Sequence, residues 1–159
     1  MGTLCKSAPE SFKRIANATV DRHTLQKRAS QNDKSLGVEL KRRRLALEWT
    51  QTDTAKHFGV IKDTYQNWEW NHITPDIKRR KVIVEFLEFN YWDDESNSLA
   101  NRVLLFRIEN ELYRIELGKL IGVSDSTIER VEKRHPHISS KIKVAIEQFI
   151  LKFDAKKVF

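Results

Sequence analysis

Five histidines and one cysteine are the side chains of this sequence best suited to catalysis or metal binding. The histidines lack the HExxH spacing of a zinc peptidase, and the closest pair, His135 and His137, is a weak ligand pattern. Cys5 has no second cysteine for a disulfide and no defined base beside it. The sequence also lacks a glycine-rich phosphate loop. We therefore expect no enzyme, no metal site and no cofactor.

The other side chains with chemical potential are mainly basic. The 159 residues include 29 Lys and Arg against 22 Asp and Glu, which gives a net charge of +7. Such a surplus is typical of proteins that bind a polyanion such as nucleic acid. No apolar run approaches the roughly 18 residues of a transmembrane helix, and the N-terminus lacks the apolar core of a signal peptide. We expect a cytoplasmic, nucleoid-associated protein with no membrane partner.

Glycine and proline are scarce, with five and three residues. Their scarcity favours helices joined by tight turns over a many-stranded sandwich. Apolar residues recur at helical intervals in two stripes, which together predict an all-α fold. The stripes are Val82, Ile83, Phe86 and Leu87, and Ile142, Ile146, Phe149 and Ile150.

The chain also contains an internal repeat. Comparing 38–87 with 101–150 gives eleven identities in fifty positions, and apolar pairs such as Leu40 with Val103 match as well. Since a shared core needs shared burial, we infer two tandem copies of one small four-helix unit. The domains predicted are a basic N-terminal arm at 1–35, a first unit at 36–90, an acidic linker at 91–98, a second unit at 99–153 and a tail at 154–159.

The arm at 1–35 has seven basic and three acidic residues and no sustained apolar stripe. This composition favours a basic, partly disordered arm over a weak helix at 11–31.

Each copy carries the pattern of a helix, a glycine turn and a second helix. Gly59 and Gly122 follow the second helix of their copies, where the turn requires a positive φ. The stretch from Leu45 through Glu69, followed by Pro75, resembles the Cro/repressor-type (XRE-like) DNA-binding domain. The resemblance covers about 36–151 and is greatest to proteins with two such domains in tandem.

The resemblance implies two lambda-repressor-like helix-turn-helix domains, with a recognition helix at 62–71 in the major groove of double-stranded DNA. Side chains early in the third helix would read base edges, and others would hold phosphates. The candidate base contacts are Lys62, Asp63, Gln66 and Asn67 in the first copy and Ser126 and Arg130 in the second. The candidate phosphate contacts are Gln51, Asn71, His72, Lys78 and Arg114.

Four further residues match structural positions of that family. Arg44 with Glu69, and Arg107 with Glu132, are expected to form ion pairs that hold the first helix to the third. The sequence departs from the family at Glu48 and Glu111, where relatives often have glycine after the first helix. It departs again at Ile61 and Tyr113, which replace helix caps and forgo about 1 kcal/mol each. At the equivalent positions of the other copy, Thr50 and Ser124 are expected to cap their helices.

The function implied is sequence-specific DNA binding as a transcriptional regulator, with the first copy reading bases and the second assisting. The second copy places Asp125 and Glu129 on its reading face, which disfavours phosphate. The alternative is a helical protein-interaction module that keeps the fold without operator binding. Whether the chain acts as a monomer or a homodimer stays open.

Overall fold

A computed structural model describes residues 34–157, with side chains as far as Phe153. The predicted arm therefore lies almost entirely outside the described residues, and so do the side chains of the tail. The described part is built from eight α-helices without a strand, so the predicted all-α class is confirmed. The helices are α1 Leu36–Ala46, α2 Gln51–His57, α3 Lys62–Glu69, α4 Ile77–Leu87, α5 Leu99–Glu109, α6 Arg114–Ile121, α7 Asp125–Glu132 and α8 Ser140–Lys157.

Side-chain caps set where several helices begin. Thr50 Oγ1 accepts from the backbone N–H of Asp53 at 3.2 Å, and the Asp53 carboxylate accepts from the N–H of Thr50 at 3.0 Å. Ser124 Oγ accepts from the N–H of Thr127 at 3.2 Å, so the two predicted caps are confirmed. Ile61 makes no side-chain cap, as its apolar side chain requires.

The backbone repeats at the interval of 63 residues that the sequence indicates. Left-handed φ angles occur in three matched pairs after equivalent helices. These pairs are Glu48 (57°) with Glu111 (53°), Gly59 (62°) with Gly122 (83°), and Asn71 (58°) with Arg134 (54°). Because only glycine adopts this region without strain, its recurrence at non-glycine positions shows that the two units share one backbone design.

The third helix of the first unit is shorter than the sequence predicts. We expected a recognition helix over 62–71, but α3 ends at Glu69, with Trp70 as its C-cap. Asn71 adopts the left-handed conformation, which cannot continue a right-handed helix.

Two separate hydrophobic cores lie under the two units. Equivalent positions are buried in both: Leu40 and Val103 are fully buried, and so are Ile83 and Ile146. The first core is rich in aromatic rings and the second in aliphatic side chains. The first consists of Leu36, Leu40, Ala55, Phe58, Tyr65, Trp68, Ile83, Phe86 and Leu87, and the second of Val103, Phe106, Leu117, Ile128, Val131, Ile146 and Ile150.

The two units meet at a polar seam, where the start of α4 lies against the start of α6. The hydroxyl of Tyr113 donates to Asp76 Oδ1 at 3.0 Å, and Lys78 Nζ lies 3.6 Å from Glu116 Oε1. Lys81 Nζ donates to the Glu109 carbonyl at 3.3 Å further along α4. These contacts give the two units a defined relative orientation.

The predicted linker is itself ordered by specific contacts. Tyr91 and Trp92 pack against the first core, and Asp93 Oδ1 accepts from Asn101 Nδ2 at 2.8 Å on α5. Asp94 forms an ion pair with Arg134. The segment therefore joins both units as part of the fold rather than as a loose tether.

Among the residues described, no helix combines the length and the apolar character needed to cross a bilayer.

Candidate nucleic-acid interface

The α2–α3 pair of the first unit is held at a fixed angle by its turn. Gly59 supplies the left-handed residue after α2, and the N–H of Val60 donates to the Ala55 carbonyl at 3.0 Å. Phe58 and Tyr65 are buried on either side of the turn, with ring centroids 5.9 Å apart. The turn and the core together leave the outer side of α3 facing solvent.

A hydrogen-bond network runs from the interior to that outer side. Arg44 Nη2 donates to Glu69 Oε1 at 2.6 Å, and both residues are buried. Glu69 Oε2 accepts from Gln51 Nε2 at 2.7 Å, and Gln51 Oε1 accepts from Gln66 Nε2 at 2.8 Å. The network thus joins the expected ion pair to two candidate DNA contacts, one on α2 and one on α3.

The side chains of Gln51 and Gln66 lose rotational freedom in this hydrogen-bond network before any ligand binds. With Gln51 donating to Glu69, its amide oxygen is turned towards Gln66. A side chain that is already oriented loses less conformational entropy on binding, so the network lowers the entropy cost for Gln66 to contact a ligand.

The candidate base contacts of the first unit lie on one face of α3. Lys62 and Asp63 are exposed in its first turn, while Gln66 and Asn67 are half-buried one turn later. The combination offers a cation, a carboxylate and two amides to a groove. Amides bond adenine in a bidentate manner and lysine donates to guanine, so the chemistry of this face suits base reading.

The second unit repeats the ion pair with a different outer partner. Arg107 forms an ion pair with Glu132 and donates from Nε to the Leu112 carbonyl at 3.0 Å. Arg114, which replaces Gln51, donates from Nε to Glu132 Oε2 at 2.7 Å. Glu132 is thus shared by two arginines, and no hydrogen bond continues from Arg114 to Glu129, the position of Gln66.

The outer face of α7 is acidic and its cations are engaged within the chain. Asp125 and Ser126 are exposed in its first turn. Glu129 lies 2.7 Å from Lys133 Nζ, and this hydrogen bond lowers the pKa of the carboxyl, so it stays ionised at neutral pH. Arg130 Nη2 donates to the His137 carbonyl at 2.8 Å. A fixed carboxylate at the position of Gln66 disfavours close approach of phosphate.

Two candidate phosphate contacts have other partners in the structure. Asn71 Oδ1 accepts from the N–H of Gly37 at 2.8 Å, and its Nδ2 donates to Ser35 Oγ at 3.0 Å. Asn71 thereby ties the start of α1 to the end of α3, and a phosphate contact would require both bonds to break. Lys78 lies in the seam, 4.9 Å from the ring centre of Tyr113 and near Glu116. The Lys78 ammonium group thus interacts with side chains of the second unit.

His72 lies near the end of α3, and Arg79 lies near the end of α2. His72 is exposed beside the ring of Trp70, with centroids 5.7 Å apart. Arg79 donates to the Phe58 carbonyl at 3.1 Å and so caps the end of α2. Sequence reasoning missed this cap and also the bond between Gln51 and Glu69, because neither contact leaves a local signal in the chain.

Among the described residues, no group of three His, Cys, Asp or Glu side chains is placed to hold a metal ion. Comparisons of the chain with protein-family models, with curated proteins and with solved structures found no match.

Proposed function

We propose that this protein binds double-stranded DNA with sequence specificity and acts as a transcriptional regulator. Each unit would then be a lambda-repressor-like helix-turn-helix domain, with α2 and α3 of the first unit as the reading pair. In this assignment α3 enters the major groove, where Lys62, Gln66 and Asn67 contact base edges. The N–H groups at the start of α2, together with Gln51, bind a phosphate.

The observation that carries the proposal is the network from Arg44 through Glu69 and Gln51 to Gln66. A buried ion pair costs desolvation energy and is weak evidence of added stability. Here its second carboxylate oxygen serves to orient a polar side chain on the solvent side. That use of a buried charge is expected where a polar side chain must be held ready for a partner.

The second unit has a supporting role in this proposal. Its reading face carries Asp125 and Glu129, and Arg114 is bound to Glu132. Ser126 and Arg130 are the side chains of α7 that remain available for an assisting contact, once Arg130 releases the His137 carbonyl. The seam with α4 then holds the second unit beside the DNA-bound unit.

Binding-site selection from a random duplex pool tests the assignment. Wild-type protein should enrich one shared site at physiological salt. Gln66→Ala and Asn67→Ala should each weaken binding by about 1–3 kcal/mol and relax the preference at one base, because a bidentate contact is lost. Gln148→Ala, at an exposed amide on α8, is the matched control and should leave the selected site intact.

Arg130→Ala distinguishes the two units. It should lower affinity evenly across sequences without changing the selected site. If this variant alters the site while the α3 variants do not, the roles of the two units are reversed. If the wild-type protein enriches no site, the alternative assignment holds: a helical interaction module whose second unit contacts another protein through the acidic face of α7.

A further inference from the structure

A cavity of about 230 Å³ lies in the second unit, between the start of α5, the end of α7 and the first turns of α8. Its apolar lining includes Leu99, Ala100, Val131 and Ile138. We call it the α5–α7–α8 cavity. The first turn of α7, which carries Asp125 and Ser126, lies outside the lining of the cavity.

The first unit shows why the second has room here. The position of Val131 is occupied by Trp68 in the first unit, where the indole is buried in the core. The position of Ala100 is Gly37, and a Cβ there would lie only 2.3 Å from the Glu69 carbonyl oxygen, so α1 and α3 are in close contact. In the second unit, Val131 leaves unfilled the volume that the Trp68 indole occupies in the first. The Cβ of Ala100 also prevents α5 and α7 from approaching as closely as α1 and α3 do. Together these two differences open the cavity.

The polar connection that closes the first unit is only partly kept in the second. Asn71 joins the start of α1 to the end of α3 by two hydrogen bonds. Its counterpart, Arg134, bonds to Asp94 and to Ser98 Oγ at 3.4 Å, and Ser98 is the position of Ser35. Because a guanidinium has no acceptor, the bond from the N–H of Gly37 has no counterpart at Ala100. Its exposed guanidinium lies at the mouth of the cavity, beside Asp94.

The mouth of the cavity is cationic. Its charge comes from Arg134 and Lys143, and Asp94 offsets the charge of Arg134; His135 also lines it. Among residues 34–153, Lys143 has no ion-pair partner and is exposed on α8. An apolar interior below an uncompensated ammonium group is complementary to a small molecule with an apolar body and one anionic end.

We propose that the α5–α7–α8 cavity binds a small carboxylic acid with a compact apolar body. The carboxylate lies at Lys143, with His135 as a second donor, and the apolar body contacts Leu99, Val131 and Ile138. The volume is below the usual range of drug-sized pockets, roughly 300–1,000 Å³, so the ligand is of the size of an aromatic or branched-chain acid.

Benzoate is the probe for this proposal, and benzamide is its neutral control with nearly the same shape. Benzoate is titrated into the ¹⁵N-labelled full chain without DNA. Saturable amide shifts are expected at Ala100, Val131 and Ile138, with a Kd of about 1 mM, since a small ligand gains limited contact energy. Benzamide should bind at least about tenfold more weakly, because it offers no charge to Lys143.

Two variants locate the site. Lys143→Gln removes the cation at an exposed position and should weaken benzoate binding about tenfold, whereas Lys141→Gln, on the same helix but outside the lining, should leave it unchanged. Val131→Trp restores the side chain of the first unit and should abolish the shifts by filling the space. If the Trp variant is overpacked and unfolds, the Lys143 comparison still decides the question.

The proposal is overturned if benzoate gives no saturable shifts at the lining residues. It is also overturned if benzamide binds equally well or if Lys143→Gln binds benzoate like the wild type. Because the titration contains no DNA, none of these outcomes depends on the reading role of the first unit.

Discussion

The side-chain amides of Gln51 on α2 and Gln66 on α3 are joined by a hydrogen bond of 2.8 Å. The same Gln51 donates to Glu69 at 2.7 Å, so the position of Gln66 depends, through Gln51, on a buried carboxylate. Two residues assigned to different contacts, one to phosphate and one to a base, therefore act as a unit.

Coupling between these two glutamines is the first prediction. Gln51→Ala and Gln66→Ala should each weaken binding to the selected DNA site, and the double variant should lose less than the sum of the two. An interaction free energy of about 0.5–3 kcal/mol is expected for residues in one network. Titrations of all four proteins with one fluorescent duplex measure it. Strict additivity would show that the hydrogen bond has no role in the complex.

Salt dependence is the second prediction. With roughly five to eight phosphate contacts, the logarithm of the association constant should fall against the logarithm of salt with a slope of about −5 to −7. Fluorescence anisotropy between low and physiological salt measures the slope on a specific and on a random duplex. A flat response on both duplexes would contradict DNA as the partner.

Removal of the buried carboxylate is the third prediction. Glu69→Ala should lower the free energy of unfolding by about 3–5 kcal/mol, because it leaves the Arg44 guanidinium buried without its partner. Urea denaturation followed by circular dichroism gives the value. Glu85→Ala removes an exposed carboxylate from α4 and should change stability by less than about 0.5 kcal/mol. Similar losses for the two variants would rule out a special role for the buried pair.

The strained glutamates give the fourth prediction. Glu48 and Glu111 have φ angles of 57° and 53° after α1 and α5. Glycine adopts this conformation without a Cβ clash, so Glu48→Gly and Glu111→Gly should each raise stability by about 0.5–1 kcal/mol. Glu85→Gly, inside α4, should lower it by about 1 kcal/mol. Thermal unfolding of the three variants should show a higher melting temperature for the two turn variants and a lower one for Glu85→Gly. A lower melting temperature for both turn variants would contradict the proposed backbone strain.

The seam gives the fifth prediction. The hydrogen bond from Tyr113 to Asp76 raises the pKa of the phenol, because it favours the neutral hydroxyl over the phenolate. The contact therefore stabilises the fold below the ordinary tyrosine pKa and is lost as pH rises through the raised value. Asp76→Asn should move the Tyr113 titration, followed by NMR of the ring carbons, towards lower pH. An unchanged titration would show that the two units do not meet at this bond in solution.

Local signals were enough to predict most of the helices and two of their caps. The hydrogen bonds that form these caps join residues only three positions apart, Thr50 with Asp53 and Ser124 with Thr127. Such caps can therefore be predicted from a short stretch of sequence. The repeat was also visible, because equivalent cores require apolar residues at equivalent positions. The recognition helix was predicted two residues too long, since nothing in the local pattern marks Asn71 as left-handed.

Contacts between distant residues were decided only by the tertiary structure. Asn71 reaches Gly37 and Ser35 across more than thirty positions, and Tyr113 reaches Asp76 across 37. A polar side chain can hydrogen-bond to many different groups. Its residue type and its position in the sequence do not determine which of those groups the folded chain places within bonding distance. The sequence by itself therefore determined the helices, the repeat and the polar side chains offered by α3. The fold decided which of those side chains are held for a partner, which are used up within the chain, and where the second unit keeps an open cavity that the first fills with Trp68.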